Sequence, residues 1–163
     1  TCAFYYISSL FSVFFPEKEV YFLPSADISS IPALINLLTG WKLKFGVLLS
    51  DTREAANAIQ HLQNHLFSGK EEELSGKVKI LSDITGFENL FSTIDFKKYV
   101  LQKRIGITES NLEYIDNNGL SRVDLASAFA LYCQNNKIKP NDFDEESRGN
   151  INNMFNIILN FLK

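Results

Sequence analysis

Cysteine is scarce in this 163-residue chain, which has only Cys2 and Cys133, far apart and without a C-x-x-C spacing. A disulfide framework and a zinc site are therefore not expected, and a reducing, cytoplasmic setting is favoured. An excess of positive charge is also missing, since the formal net charge is −3. Any binding of nucleic acid must then use a local basic patch, a metal ion or another domain.

Long apolar runs are absent as well. The ring-rich segment at residues 3–14, AFYYISSLFSVF, is shorter than a membrane span and lacks the basic start of a signal peptide. We therefore expect no membrane contact and no targeting segment, while the initial Thr in place of Met suggests a piece of a longer protein. Aromatic residues are plentiful at 13%, with fourteen Phe, and they predict a core filled by rings.

The amino-terminal half alternates between helical and strand-like segments. Short apolar runs at residues 19–24 (EVYFLP), 43–50 (LKFGVLLS) and 78–84 (VKILSDI) have the length of strands, with helical periodicity before and between them. This order predicts an α/β fold with a parallel sheet and crossover helices. After Gly86 the sequence predicts helices alone, at residues 87–105, 121–136 and 147–163.

We therefore expect one domain, with an α/β core at residues 1–86 and a helical carboxyl-terminal layer at residues 87–163. Asp27 and Ser121 are suited to cap the helices that follow them. The charged segment KEEELSGK at residues 70–77 is expected to be a surface loop.

The end of the second predicted strand is the place where chemistry is expected. Ser50, Asp51 and Thr52 stand between that strand and a helix, and ligands of α/β sheets bind at the carboxyl ends of strands. Asp51 is either a site residue or the helix N-cap, and Ser50 and Thr52 are caps or donors to an anion. Asp83 follows the next strand and either reaches the same cleft or serves a turn.

Residues 22–59, FLPSADISSIPALINLLTGWKLKFGVLLSDTREAANAI, resemble the Toprim domain of the OLD (overcoming lysogenization defect) family of ATP-dependent endonucleases. The resemblance rests on Pro24 and Pro32 at the family's separation, on the turn Gly40-Trp41 and on the apolar run at residues 47–49. Later segments of the family resemble GFENLFSTIDFKKYVL, SRVDLASAFALYC and DFDEES of this chain, in the same order.

The resemblance implies a Toprim-like Rossmannoid parallel sheet flanked by helices, and a magnesium or manganese site that activates water against a DNA phosphodiester. Glu88 and Arg122 fall on an acidic and a Lys position of the family. Asp51 stands at the middle position of the family's D-x-D, and its place at the strand end, which Asp83 shares at the same sheet edge, makes these two the candidate metal ligands. Asp51, Glu88 and Arg122 are thus the expected catalytic residues, or their remnants. The resemblance further implies an ATPase domain in the same or a partner chain, a homo-oligomeric full-length form and action against phage or foreign DNA.

The chain departs from the family at the acidic positions. The two Asp of the family's D-x-D fall on Ser50 and Thr52, the family Lys falls on Arg122, and Cys2 stands where an Asp follows the first family Glu. That Glu would lie upstream of Thr1. Because hydroxyl groups are weak, uncharged magnesium ligands, we expect a degenerate, non-catalytic domain with a structural or DNA-contacting role.

Two alternative functions stay open. One is an active magnesium-dependent DNA endonuclease whose first Glu is supplied upstream, and the other is a regulatory protein-interaction module without a nucleic-acid role. Apart from the resemblance, Glu88 would be expected on a solvated helix face and Arg122 at the surface.

Two further groups of residues could either bind a ligand or form solvent-exposed helix faces. His61 and His65 have the spacing of metal ligands on a helix, but without a third ligand an exposed polar face is the expected role. The basic cluster KKYVLQKR at residues 97–104 either contacts a DNA backbone or forms a solvated helix face.

Overall fold

The structure, a computed structural model, describes residues 2–25, 27–81, 86–106 and 108–162. The amino-terminal half forms α1 (Cys2–Phe14), α2 (Ile31–Gly40), β1 (Val47–Ser50), α3 (Arg53–His65), α4 (Glu71–Ser75) and β2 (Val78–Leu81). The carboxyl-terminal half forms α5 (Thr93–Asp95), a π-helix (Phe96–Leu101), α6 (Asn111–Asn117), α7 (Arg122–Asn135) and α8 (Glu145–Phe161). Short 3-10 turns occur at Ile28–Ser30, Phe87–Leu90 and Pro140–Asp142.

The contacts of the chain divide it into two compact units. The first comprises the described residues of 1–24 and 85–156, and the second comprises those of 25–84 and 157–163. α8 therefore begins in the first unit and ends in the second. The domain ranges that we predicted, residues 1–86 and 87–163, divide the chain at a different place. Those ranges stay a prediction.

The second unit contains a small parallel sheet. β1 pairs with β2 in parallel, from Val47 opposite Val78 to Ser50 opposite Leu81, and α3 and α4 connect the two strands. The predicted mixture of helices with parallel strands is thus confirmed in this coarse form. The core of the unit is aliphatic, with one ring, and consists of Ile31, Ile35, Leu49, Ala55, Leu62, Phe67 and Leu74.

Two predictions for the amino-terminal half are wrong. Residues 19–24 form no strand, and Tyr21 and Leu23 are 93% and 66% exposed. An apolar run becomes a strand only where a neighbour pairs with its backbone groups, and the described residues offer this segment none. Residues 70–77 are not wholly a loop, because α4 forms there. Glutamates in its first turn favour the helix N-terminus, and Leu74 anchors it at 6% exposure.

The two capping residues predicted from the sequence do cap the segments that follow them. Ser121 accepts a hydrogen bond from the Asp124 N–H at 3.3 Å and caps α7, as predicted. Asp27 accepts one from the Ser30 N–H at 2.8 Å at the start of the first 3-10 turn. Among the described residues after 86 the backbone forms no strand, which also agrees with the prediction.

The helix predicted at residues 87–105 is instead broken into short pieces. Ser92 interrupts it: its N–H donates to the Ser147 hydroxyl at 2.9 Å, and its own hydroxyl donates to Asp144. The Asp144 N–H donates to the Asp95 carboxylate at 2.8 Å. These buried and partly buried bonds join the start of α5 to the start of α8 and fix where each helix begins.

The core of the first unit is aromatic, as the composition predicts. The rings of Tyr6, Phe91 and Phe129 lie with centroids between 5.1 and 5.8 Å apart. Phe11 and Phe155 meet edge to face at 5.4 Å. No helix among the described residues is long and apolar enough to cross a membrane.

Candidate functional site

Glu88 and Arg122, two of the residues singled out from the sequence, form an ion pair in which the carboxylate is buried and the guanidinium is partly exposed. Glu88 lies in the 3-10 turn Phe87–Leu90 and its side chain is 0% exposed. Arg122 is the first residue of α7; its Nη2 donates to Oε2 at 2.7 Å and its Nε to Oε1 at 3.1 Å. Two parallel hydrogen bonds of this kind form the bidentate arrangement, which is the strong form of hydrogen bonding between a guanidinium and a carboxylate. The expectation that Glu88 lies on a solvated face is wrong.

Cys2 joins this pair from the first turn of α1. Its Sγ lies 3.7 Å from Glu88 Oε1 and 3.6 Å from the carbonyl oxygen of Arg122. Burial, with a further contribution from the negative charge of Glu88, raises the pKa of the Cys2 thiol to about 11. The thiol is therefore protonated at neutral pH, which makes it a weak nucleophile there. We name Cys2, Glu88 and Arg122 the Glu88 cluster.

The Glu88 cluster carries little net charge. The hydrogen bond with Glu88 raises the pKa of Arg122, so the guanidinium stays charged and balances the carboxylate. Both oxygens of Glu88 already accept bonds from Arg122, whereas a magnesium ion is held by several oxygen ligands with negative charge. In the described part of the chain, no group of three His, Cys, Asp or Glu side chains is placed to hold a metal ion.

The surroundings of the cluster contain residues that the sequence did not single out. The Asn111 amide donates to the carbonyl oxygens of Glu88 and Phe91, at 2.8 Å in both cases, and so holds the turn. A Cβ on Gly86 would lie 2.8 Å from Leu112 Cδ1 and 3.2 Å from Arg122 Nη2, so a larger residue there would require these side-chain ends to move. No spacing or motif in the sequence indicates these roles.

Tyr6 also lies in this region. Its hydroxyl is buried and has no hydrogen-bond partner among the described residues. Burial, and secondly the charge of Glu88, raise the pKa of Tyr6, which keeps the phenol protonated. An unpaired buried hydroxyl is unfavourable by about 1–3 kcal/mol. The packing of the Tyr6 ring between aromatic neighbours therefore has to outweigh this cost.

Asp51 lies in the second unit, directly after β1, and its side chain is exposed. It does not cap α3: the Thr52 hydroxyl accepts the hydrogen bond from the Ala55 N–H, at 3.1 Å. The interpretation of Asp51 as an N-cap is wrong, and the same interpretation of Thr52 is confirmed. Asp83, the other predicted metal ligand, lies outside the described residues.

Comparisons with protein-family models, with curated proteins and with solved structures found no match for this chain. Function is therefore inferred from the geometry of the chain and from the resemblance of its segments.

The predicted histidine pair lies on an exposed face of α3. The rings of His61 and His65 are 4.4 Å apart between centroids, and both residues are exposed. Two imidazoles one turn apart supply only half of a four-coordinate metal site.

Substitutions at the start of α3 will separate the role of Thr52 from that of Asp51. We expect Thr52→Ala to lower the free energy of unfolding by about 1 kcal/mol, because it removes the N-cap bond. Asp51→Ala should change it by less than about 0.5 kcal/mol, since the side chain is exposed and caps nothing. Urea unfolding followed by the fluorescence of Trp41, which lies in the same unit, measures both. An equal loss in the two variants would contradict the assignment of the cap.

Proposed function

We propose that this chain is a degenerate Toprim-like domain of an OLD-family-like, ATPase-linked DNA nuclease, without metal-dependent catalysis and with a structural or DNA-contacting role. The observation that carries the proposal is the Glu88 cluster. Cys2 is 86 positions from Glu88, and Arg122 is 34 positions from it. The resemblance marks each of these positions separately, and their convergence on one place supports it.

The chemistry of the cluster supports the loss of catalysis. By resemblance, the positions of Cys2 and Arg122 would hold Asp and Lys in an active relative. In this chain, the protonated thiol of Cys2 stands where a carboxylate would be. The carboxylate of Glu88, the remaining acid, accepts two hydrogen bonds from the guanidinium of Arg122. A phosphodiester enzyme needs negative ligands that place a dication beside the scissile phosphate. The hydrogen bonds of the cluster instead connect the turn that contains Glu88 to α7. We assign the cluster a structural role on this basis.

The end of β1 supports the same proposal. In the family's D-x-D, the second Asp would stand at the position of Thr52. The Thr52 hydroxyl accepts a backbone hydrogen bond of α3 and so caps that helix, and it carries no negative charge to hold a dication. The magnesium or manganese site of an active relative would accordingly be weak or absent in this chain. The ATPase domain, a homo-oligomeric full-length form, a cytoplasmic location and a role in defence against phage belong to the proposal through the resemblance.

A plasmid-nicking assay tests the proposal. With magnesium or manganese, we expect the chain to leave supercoiled plasmid intact, because no carboxylate of the Glu88 cluster is free to hold the ion. Asp51→Ala, prepared in parallel, controls for contaminating nuclease, since contamination would not depend on the substitution. Metal-dependent nicking that Asp51→Ala abolishes would overturn the proposal in favour of an active endonuclease. Failure to bind DNA at low salt, with a protein partner co-purifying, would instead favour the regulatory module.

A further inference from the structure

The predicted basic cluster surrounds a pocket of about 580 Å³ in the first unit. Its lining includes the cationic side chains Lys97, Lys98, Lys103 and Arg104, together with Gln102 and Tyr132. We name this feature the basic pocket. Its volume lies within the range of ligand pockets in proteins, about 300–1,000 Å³.

A local reversal of the backbone builds the pocket. The π-helix Phe96–Leu101 ends at Gln102, which has a left-handed conformation with φ 53° and ψ 37°. The Lys103 N–H then donates to the carbonyl oxygen of Lys97 at 3.0 Å. Because of this reversal, Lys103 lies beside the first residues of the π-helix, and the four cationic side chains named above line the same pocket. A left-handed residue other than glycine is unfavourable by about 1–2 kcal/mol, and π-helical turns and such residues are frequent at functional sites.

Among the described residues, the cations of the basic pocket form no ion pair within 4.0 Å, although Asp95 attracts Lys98 from farther away and the Lys98 Nζ lies 4.5 Å from the centroid of the Tyr99 ring. In the part of the chain that the structure describes, the side-chain ion pairs within 4.0 Å involve Lys70, Lys77 and Arg122, none of which lines the pocket. Several like charges gathered in one concavity repel one another and produce a local positive potential. The chain as a whole is acidic, with a net charge of −3, so this potential is local and suited to an anionic ligand.

We propose that the basic pocket binds the phosphodiester backbone of single-stranded nucleic acid. This inference names the surface for the DNA-contacting role proposed above and rests on that proposal. Lys and Arg side chains bind successive phosphates, and an aromatic ring such as that of Tyr132 gives a base a surface for stacking. The volume of the pocket admits roughly one or two nucleotides, whereas a duplex is convex and too wide to enter it.

Binding of a labelled oligothymidine of about 12 nucleotides, a length typical of single-strand sites, tests the inference by fluorescence anisotropy at several salt concentrations. We expect Lys103→Ser/Arg104→Ser to weaken binding by at least about tenfold at low salt, and to reduce the slope of log K against log salt by about 1.4. Lys137→Ser/Lys139→Ser is the matched control, because it removes the same charge from exposed lysines of the first unit that do not line the pocket. The control should bind as the unsubstituted chain does. Circular dichroism verifies that both variants fold.

Several outcomes would overturn the inference. Equal weakening in the pocket variant and in the control would show attraction to charge in general, and unchanged binding in the pocket variant would place the DNA contact elsewhere. Tighter binding of the duplex of the same sequence would exclude a single-strand site. Competition by inorganic phosphate or a nucleoside triphosphate as effective as that by the oligonucleotide would indicate a small-anion site. Nicking of plasmid in the separate assay would overturn the proposed loss of catalysis and leave the pocket intact.

Discussion

Arg122→Met is expected to lower the free energy of unfolding by about 3 kcal/mol, because it leaves the carboxylate of Glu88 buried without its partner. The pair has both of the bonds that a guanidinium can make with a carboxylate, and Glu88 is 0% exposed. Arg122 itself is 43% exposed, so water can reach part of the site, and we expect a loss at the lower end of the range for buried pairs. Urea unfolding followed by circular dichroism measures it.

The double variant Glu88→Gln/Arg122→Met separates the loss of charge balance from the loss of packing. Removing both charges should recover part of the stability lost in the single variant, because no charge is then left buried alone. Arg148→Met is the matched control: the Arg148 Nε donates to the backbone carbonyl oxygen of Asp144 and its Nη1 to the amide oxygen of Asn141, both at 3.4 Å, so neither acceptor is charged. We expect this control to lose less than about 1 kcal/mol. A loss as large as that of Arg122→Met would contradict a special role for the Glu88 pair.

The parts of the fold that could be predicted are those with local causes. The helix α7 has its cap, Ser121, directly before it, and α3 has an apolar period that begins at the sheet edge. The helix α6 also has a local signal, although no helix was predicted there. Ser110 and Glu113 form a reciprocal capping box, and this spacing is recognisable in a sequence.

The errors have causes that lie far away in the chain. Residues 19–24 have the composition of a strand, but composition does not supply a partner strand. The break in the helix predicted at residues 87–105 depends on Ser92, whose partners Ser147 and Asp144 are 55 and 52 positions away. Local periodicity contains no information about such contacts.

The candidate site was accessible from the sequence only in part. The resemblance marked Glu88 and Arg122, whereas their residue types and spacing predict a surface arginine, which is confirmed, and a solvated glutamate, which is wrong. The burial of Glu88 follows from its approach to Arg122 and Cys2, which lie 34 and 86 positions away. The role of Asn111, which holds the turn from α6, had no signal in the sequence at all.

Phe129→Ala is expected to have the other large effect, a loss of about 3–5 kcal/mol, because it opens a cavity in the aromatic core. Phe129 is 0% exposed, and its ring centroid lies 5.1 Å from that of Phe91 and 5.5 Å from that of Tyr6. Leu131→Ala, two positions further along α7, is the matched control because Leu131 is 55% exposed. That control should lose less than about 0.5 kcal/mol, and an equal loss in the two variants would contradict the assignment of the core.

The same substitution has a consequence for the Glu88 cluster. The Tyr6 ring packs against Phe129, and α1 carries both Tyr6 and Cys2. Loss of the Phe129 ring should loosen α1 and expose the Cys2 thiol more often, which raises its rate of alkylation by iodoacetamide. The measurement uses a Cys133→Ser background, so that Cys2 is the single thiol. Since Leu131→Ala leaves the contact of Tyr6 with Phe129 in place, it should not change this rate. An unchanged rate in Phe129→Ala would mean that α1 holds Cys2 independently of the aromatic core.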